Sequence, residues 1–300
     1  MKIRIAAIAD VGKERSNQED ALLVCPDLAC QEWHEQVTTD YLPISPSGTL
    51  LIAADGMGGA NAGEVASGLA VSTFKKIFTP ELAAQAIDHE ELIEGMLINT
   101  LSRANDAILK HMEQDYTTDG MGTTLVVCWI MGNKVHVLWC GDSRCYLYRP
   151  NDGGLRRLTK DHSLVQEMID RGEITEEEAQ VHPDSNIITQ VLGDFTPQPD
   201  VITCDVQPGD LLLLCSDGLC GYCSDEAIAA TLKKNYRDAE QCKQQLLKQA
   251  LDAGGHDNIC IVLASLIGDE DCAPTEEQDD EQSACGIMSF FRKLFGSSQS

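Results

Sequence analysis

The chain has 300 residues, enough to bury a sizeable core as one large domain or two small ones. It carries 48 acidic against 22 basic side chains, a formal net charge of -26, which argues against a nucleic-acid partner because phosphates need a basic face. Thirteen cysteines with no secretion signal at MKIRIAAIADVG point to a reducing, cytoplasmic setting, and no apolar run approaches the roughly eighteen residues of a membrane span.

In chain order, residues 3–10 alternate as a strand and lead into the polar turn DVGKERSNQED, which carries Arg15, Glu19 and Asp20. The short apolar run 21–25 follows, and 26–48, with Pro26, Pro43, Pro46 and Gly48, reads as a long loop. Leu50–Ala54 is a buried strand that stops on Asp55, and Gly56, Gly58 and Gly59 turn the chain sharply. Helices are expected over 63–78 and about 90–112. Strands follow at 123–130, 135–140 and 145–148, and the connections between them are short enough to make neighbours antiparallel. Residues 161–193 break this pattern with helices at 162–171 and 175–180 and a break at Pro183. Strands at 201–206 and 210–215, helices near 224–234 and 238–252, and a last strand at 259–267 complete the body. Strand meanders interrupted by helix pairs predict an α+β fold, two packed antiparallel sheets with helices outside.

The tail is different in kind. Residues 268–281 hold eight acidic side chains and no basic one, an expected linker. Beyond it Ile287, Met288, Phe290, Phe291, Leu294 and Phe295 fall at helical spacing, opposite Arg292 and Lys293. This segment is expected either to dock on a protein or membrane surface or to fold back or fray.

The chemistry sits in the carboxylates. Buried strands end on Asp55, Asp142 and Asp217, and Asp257 immediately precedes another. A carboxylate at the end of a buried strand is poorly solvated and needs a partner. Two such charges 4 Å apart repel by about 4 kcal/mol at an effective dielectric of 20, so convergent acids need cations between them. The donors are all oxygen, with no His or Cys at metal-ligand spacing, which fits Mg2+ or Mn2+ rather than zinc. Cys220 and Cys223 are a lone C-x-x-C pair and read as core or turn residues. Taken singly, each Asp is equally readable as a solvated turn residue.

Eight segments in order, DVGKERSNQED, AADGMGGANAGEVAS, MGTT, CGDSR, LTKDHS, HPDSNIITQVLG, LLLLCSDGL and GHDNI, resemble the metal-dependent protein phosphatases of the type 2C class (the PPM family), particularly bacterial members. The resemblance covers residues 1–267. It implies an α-β-β-α sandwich, with 161–193 as a flap over the site, and hydrolysis of phosphoserine and phosphothreonine in proteins at two Mn2+ or Mg2+ ions, with a weaker third. By that resemblance Asp55 bridges two metals and the Gly56 carbonyl completes the first, while Asp217 and Asp257 hold the second. Glu19 and Asp20 act mostly through water, Asp142 with Asp217 makes the third site, and Arg15 grips the phosphate. Phosphate monoester hydrolysis needs accelerations up to roughly 10^21-fold, far beyond the 10^2 to 10^4 of a general base, so metals carry the load and Ser143, Ser216 and the cysteines are bystanders.

The chain departs from the pattern it resembles in three places. Met57 stands where many animal members have His, a proposed general acid, and Ser185 and Gln190 stand where bacterial members often have Arg. The partners implied are phosphorylated proteins, with a Ser/Thr kinase acting in opposition. The alternatives are a catalytically inactive, partner-binding member of the family and a different two-metal hydrolase such as a nuclease, which the net charge disfavours.

Overall fold

The computed structural model describes residues 1–58, 62–152 and 154–268, and Met1–Asp269 is one compact unit. Gly59 and the predicted C-terminal helix lie outside the described residues. In chain order the strands are β1 (Lys2–Asp10), β2 (Asp20–Cys25), β3 (Val37–Thr38), β4 (Leu42–Pro43), β5 (Thr49–Met57), β6 (Gly122–Thr123), β7 (Leu125–Met131), β8 (Lys134–Cys140), β9 (Arg144–Arg149), β10 (Gly154–Arg157), β11 (Asp200–Asp205), β12 (Leu211–Cys215) and β13 (Ile259–Ile267). The helices are α1 (Ala62–Ile77), α2 (Pro80–Asp88), α3 (Ile93–Gln114), α4 (Leu164–Asp170), α5 (Glu176–Gln180), α6 (Asp217–Cys220), α7 (Asp225–Asn235) and α8 (Ala239–Asp252).

The two sheets follow from strands that are apolar on both faces. In β5 the period-two geometry sends Leu50, Ile52 and Ala54 to one side, where they pack with Ala66, Ala70 and Phe74 of α1. The alternate residues Leu51 and Ala53 join Ile3, Ile5 and Val262 from the other sheet. A further core layer sets Leu211, Leu213, Ile261 and Leu263 against Ile228 and Leu232 of α7 and Leu246 of α8. Three stacked apolar layers therefore make a helix–sheet–sheet–helix sandwich, as expected. One sheet has seven strands in the order β10-β9-β12-β13-β1-β3 with β4 beside β1, and the other has six in the order β11-β8-β7-β5-β2 with β6 beside β5.

Four local expectations need correction. First, β7 and β8 pair antiparallel as predicted, but β8 and β9 do not pair at all. The short connection through Gly141 and Asp142 carries the chain from the six-stranded sheet to the seven-stranded one. Second, the predicted strand 123–130 breaks at Thr124, whose N–H donates to the Asp55 carbonyl at 2.8 Å instead of continuing a ladder. Third, the loop 26–48 contains β3 and β4, and α2, unforeseen, is announced by Thr79 capping Leu82 N–H and by Pro80 in its first turn. Fourth, His162 lies outside the helix predicted from 162: Ser163 is the N-cap of α4, its hydroxyl accepting from Gln166 N–H. β10, also unforeseen, pairs with β9 at the sheet edge.

Register places the acids. Asp20 is directly opposite Asp55, Ala53 opposite Val126, and Leu125 opposite Cys140, so β2 begins, β5 ends, β7 begins and β8 ends at one rim. In the other sheet Arg144 is opposite Cys215, Cys215 opposite Ile261 and Asp10 opposite Ile259. There too β9 begins, β12 ends, β13 begins and β1 ends together. Each predicted acid lies on one of these rim ends or on the turn that continues it.

Candidate active site

Asp20 and Asp55 are neighbours across the β2–β5 ladder, and the Asp55 carboxyl is within hydrogen-bond reach of those of both Asp20 and Asp217. The Asp55 backbone is fixed from the β6–β7 break: its N–H donates to Thr124 Oγ1 at 3.0 Å, and its carbonyl accepts from the Thr123 hydroxyl at 2.9 Å. Gly56 is required by crowding. A Cβ there would lie 2.2 Å from the Gly63 carbonyl oxygen and 2.6 Å from that of Glu19. The glycine thus makes room for the start of α1 and for the Glu19 turn.

Asp217 opens α6, a single helical turn that the sequence reading did not place. Gly218 lets that turn sit on the β13 strand start, since a Cβ would fall 1.8 Å from the Asn258 carbonyl oxygen. Asp257 accepts from Arg15 Nη2 and from Asn258 N–H, both at 2.8 Å. Arg15 is half exposed and turns to Asp257. Asp142 follows Gly141 at the inter-sheet crossing.

Water reaches Asp55, Asp142 and Asp217 from the rim, while the protein packed round them still strips most of their hydration. Burial, the Ser216 hydrogen bond that partly opposes it, and the charges of Asp217 and Asp257 leave the Asp20 carboxyl raised to about 8. Burial, with Asp217 and Asp161 nearby, raises Asp142 to about 7. Burial and three neighbouring acids push Asp55 well above the carboxylate range, and burial also raises Asp217 and Glu19. Arg15 opposes the shift at Glu19, and Arg15 and Arg144 oppose it at Asp217, but neither outweighs burial.

Among the described residues no three His, Cys, Asp or Glu side chains surround a point as metal ligands do. Asp55 lies between Asp20 and Asp217, within hydrogen-bond reach of each. Among the described residues Asp142 Oδ1 and Asp217 Oδ1 are buried with no hydrogen-bond partner. An orphaned carboxylate oxygen is costly, and two of them beside the crowded carboxyls of Asp20 and Asp55 fit hard divalent ions.

Four residues that hold the acids were not singled out from the sequence. The Ser216 hydroxyl, read there as a bystander, donates to Asp20 Oδ2 at 2.6 Å and accepts from Cys260 N–H at 2.9 Å. Asn258 Oδ1 accepts from Glu19 N–H at 2.7 Å, and its Nδ2 donates to the Val11 and Asn17 carbonyls, clamping both ends of the Arg15 turn. Thr124 and Ser143 share a buried 2.7 Å hydroxyl pair. Asn258 had a signal in the DN pair; the hydroxyls had none.

Residues 34–253, more than half of the chain, match the family model described as protein phosphatase 2C. The chain belongs to the protein phosphatase 2C family. It is 33% identical over 265 residues to the serine/threonine protein phosphatase PstP of Mycobacterium tuberculosis, covering 88% of this chain and 45% of that protein, so it spans about half its relative's length. It is 34% identical to the protein phosphatase PhpP of Streptococcus pneumoniae, covering 88% of this chain and 98% of that one. The catalytic domain of PstP, solved in complex with two manganese ions, superposes with a TM-score of 0.69 at 33% identity, covering 89% of this chain and 99% of that one.

Proposed function

We propose that this protein phosphatase 2C member hydrolyses phosphoserine and phosphothreonine in proteins with two Mn2+ or Mg2+ ions, and a weaker third, held by its rim carboxylates. The observation that carries the reading is the pair of orphaned oxygens on Asp142 and Asp217 beside Asp20 and Asp55, which face each other across the β2–β5 ladder. Asp55 and the Gly56 carbonyl would hold one ion, with Asp55 shared to a second that Asp217 and Asp257 complete. Glu19 and Asp20 would act through water, and Asp142 with Asp217 would take the third. Ions so held supply Lewis acidity toward water and toward the phosphoryl oxygens.

The side chains do the rest. Arg15 keeps donors free of Asp257 and presents a planar fork to a phosphate at the rim. Asn258 and Ser216 hold Glu19 and Asp20 in register with Asp55. Met57 supplies no proton, so leaving-group protonation falls to water or another group. Residues 161–193 form the flap. Their ends are pinned by the Ser163–Ile188 and Thr123–Leu192 bridges, which leaves the segment between to govern substrate access.

The substrates are phosphorylated proteins, including those of an opposing Ser/Thr kinase, and the compartment is the cytoplasm, supported by free thiols such as Cys128, Cys145, Cys215 and Cys220. No helix among the described residues is long and apolar enough to cross a membrane. Residues 268–300 are proposed as an acidic linker and a docking segment for a protein or membrane surface. An inactive, partner-binding member would have no use for so self-repulsive a set of acids.

The test is hydrolysis of a phosphothreonine peptide and p-nitrophenyl phosphate with and without Mn2+, for wild type and Asp55→Asn. The expected result is Mn2+-dependent release of phosphate by wild type and a loss of at least about a hundredfold in the variant, the scale of removing a principal electrostatic contact. Equal activity in both, or cleavage of nucleic acid alone, would overturn the reading.

A further inference from the structure

His162 stands where the 161–193 segment joins the inter-sheet crossing. Its N–H donates to the Gly141 carbonyl at 3.0 Å, and Gly141 N–H donates back to its Nδ1 at 3.1 Å. The His162 carbonyl also accepts from Thr189 N–H at 2.8 Å, closing the base of the segment. The ring is 13% exposed, stacks on Trp139 with centroids 6.1 Å apart, and sets Nε2 3.3 Å from Asp200 Oδ2. A backbone N–H is only a donor, so Nδ1 must be the acceptor. The ring proton is then on Nε2 and goes to Asp200, which fixes the tautomer from outside.

The residue it grips leads straight to Asp142. Gly141 has φ +112, and a Cβ there would press to 2.7 Å on the Thr124 side chain, so Thr124 bounds the turn on one side and His162 on the other. Asp142 has a buried, unpartnered Oδ1 and therefore no hydrogen bond of that oxygen to orient it. Its carboxyl does accept from its own backbone N–H, so its aim follows the backbone at Gly141–Asp142.

We propose that His162 is a positioning residue: its Nδ1 holds Gly141 N–H so that the Asp142 carboxylate is aimed into the rim site, and Asp200 keeps the ring in the tautomer that can do so. This rests on the reading of Asp142 as an ion ligand. It also links the root of the flap to that ligand, because the same residue closes the flap base through Thr189.

Two side chains separate the acceptor from mere bulk. His162→Asn places an oxygen where Nδ1 stands, and His162→Gln moves the polar group out to the position of Nε2. In the metal-free protein, Gly141 amide exchange should quicken about tenfold in His162→Gln, the worth of one good hydrogen bond, and stay within about threefold of wild type in His162→Asn. By calorimetry the weakest Mn2+ binding step should loosen about tenfold in the Gln variant and recover in the Asn variant, with the KM for phosphothreonine peptide unchanged in both. Asp200→Ala, at a side chain 62% exposed and so remote from folding trouble, should quicken Gly141 exchange about threefold by freeing the tautomer.

Asn and Gln variants that behave alike in exchange or in Mn2+ affinity would overturn the proposal, as would an Asp200→Ala protein with wild-type exchange. A wild type that neither binds nor uses Mn2+ would instead overturn the phosphatase reading, and Gly141 exchange, measured without metal, would still judge the His162 clamp.

Discussion

Ser216 shows how much of this site rests on groups with no chemistry of their own. One hydroxyl donates to Asp20 and accepts from Cys260 N–H, tying the start of β2 to the start of β13. Ser216→Ala removes the hydroxyl from the buried Asp20 carboxyl and the partner from a buried N–H, and is expected to cost about 2 kcal/mol in urea unfolding of the metal-free protein. A cost within about 0.5 kcal/mol, the range of a plain surface substitution, would mean that water replaces the hydroxyl. The sequence located the acids because buried apolar runs that stop on Asp are conspicuous. It could not locate Ser216, Ser143 or Thr124, because a hydroxyl beside a turn has the same local pattern whether it faces solvent or a carboxylate 196 positions away.

Among the elements, those with strong periodicity were legible and those fixed by long-range contact were not. β1, β5, β12, β13, α1 and α8 lie within a few residues of where their apolar spacing puts them. The β8–β9 connection was misread because four short residues normally make a hairpin, whereas here Gly141 turns the chain out of one sheet and into the other. β3 was hidden for a similar reason. Its two residues are strand only because β1 lies beside them, and α8 then fastens them: burial raises the Glu240 carboxyl, but hydrogen bonds from Lys243, Thr38 and Gln244 outweigh it and bring it down to about 2.

A carboxyl lowered in the folded state stabilises it above the unfolded value, here 4.5, and the contribution fades as pH falls from there through about 2. Glu240→Gln should therefore lower stability by about 1 kcal/mol at pH 7, allowing for its partial exposure, and the gap to wild type should narrow below pH 4.5. Unfolding curves at pH 7 and pH 3 measure this, and a gap that widens in acid would refute it.

For the molecule as a whole, the paired register of two sheets gathers one end of every principal strand at a single rim, and that rim is acidic. The rim acids have pKa values raised by burial, to about 8 for Asp20 and about 7 for Asp142, so the folded metal-free chain holds protons that the unfolded chain releases above pH 4. The sign follows: stability of the metal-free protein should fall as pH rises from about 4 to about 8, by about 1.4 kcal/mol per pH unit for each extra proton held. Divalent ions replace those protons, so Mn2+ should raise the melting temperature most near pH 8, and chelator should remove the gain. Melting curves across that range with Mn2+ or chelator test it, and a metal-free stability that climbs with pH would contradict it.

The most direct test is anomalous diffraction from crystals soaked in Mn2+. The account predicts strong peaks between Asp55, the Gly56 carbonyl, Asp217 and Asp257, with the Asp55–Asp217 contact opened to admit them. Peaks elsewhere on the surface, or none while those two carboxyls remain in contact, would contradict it.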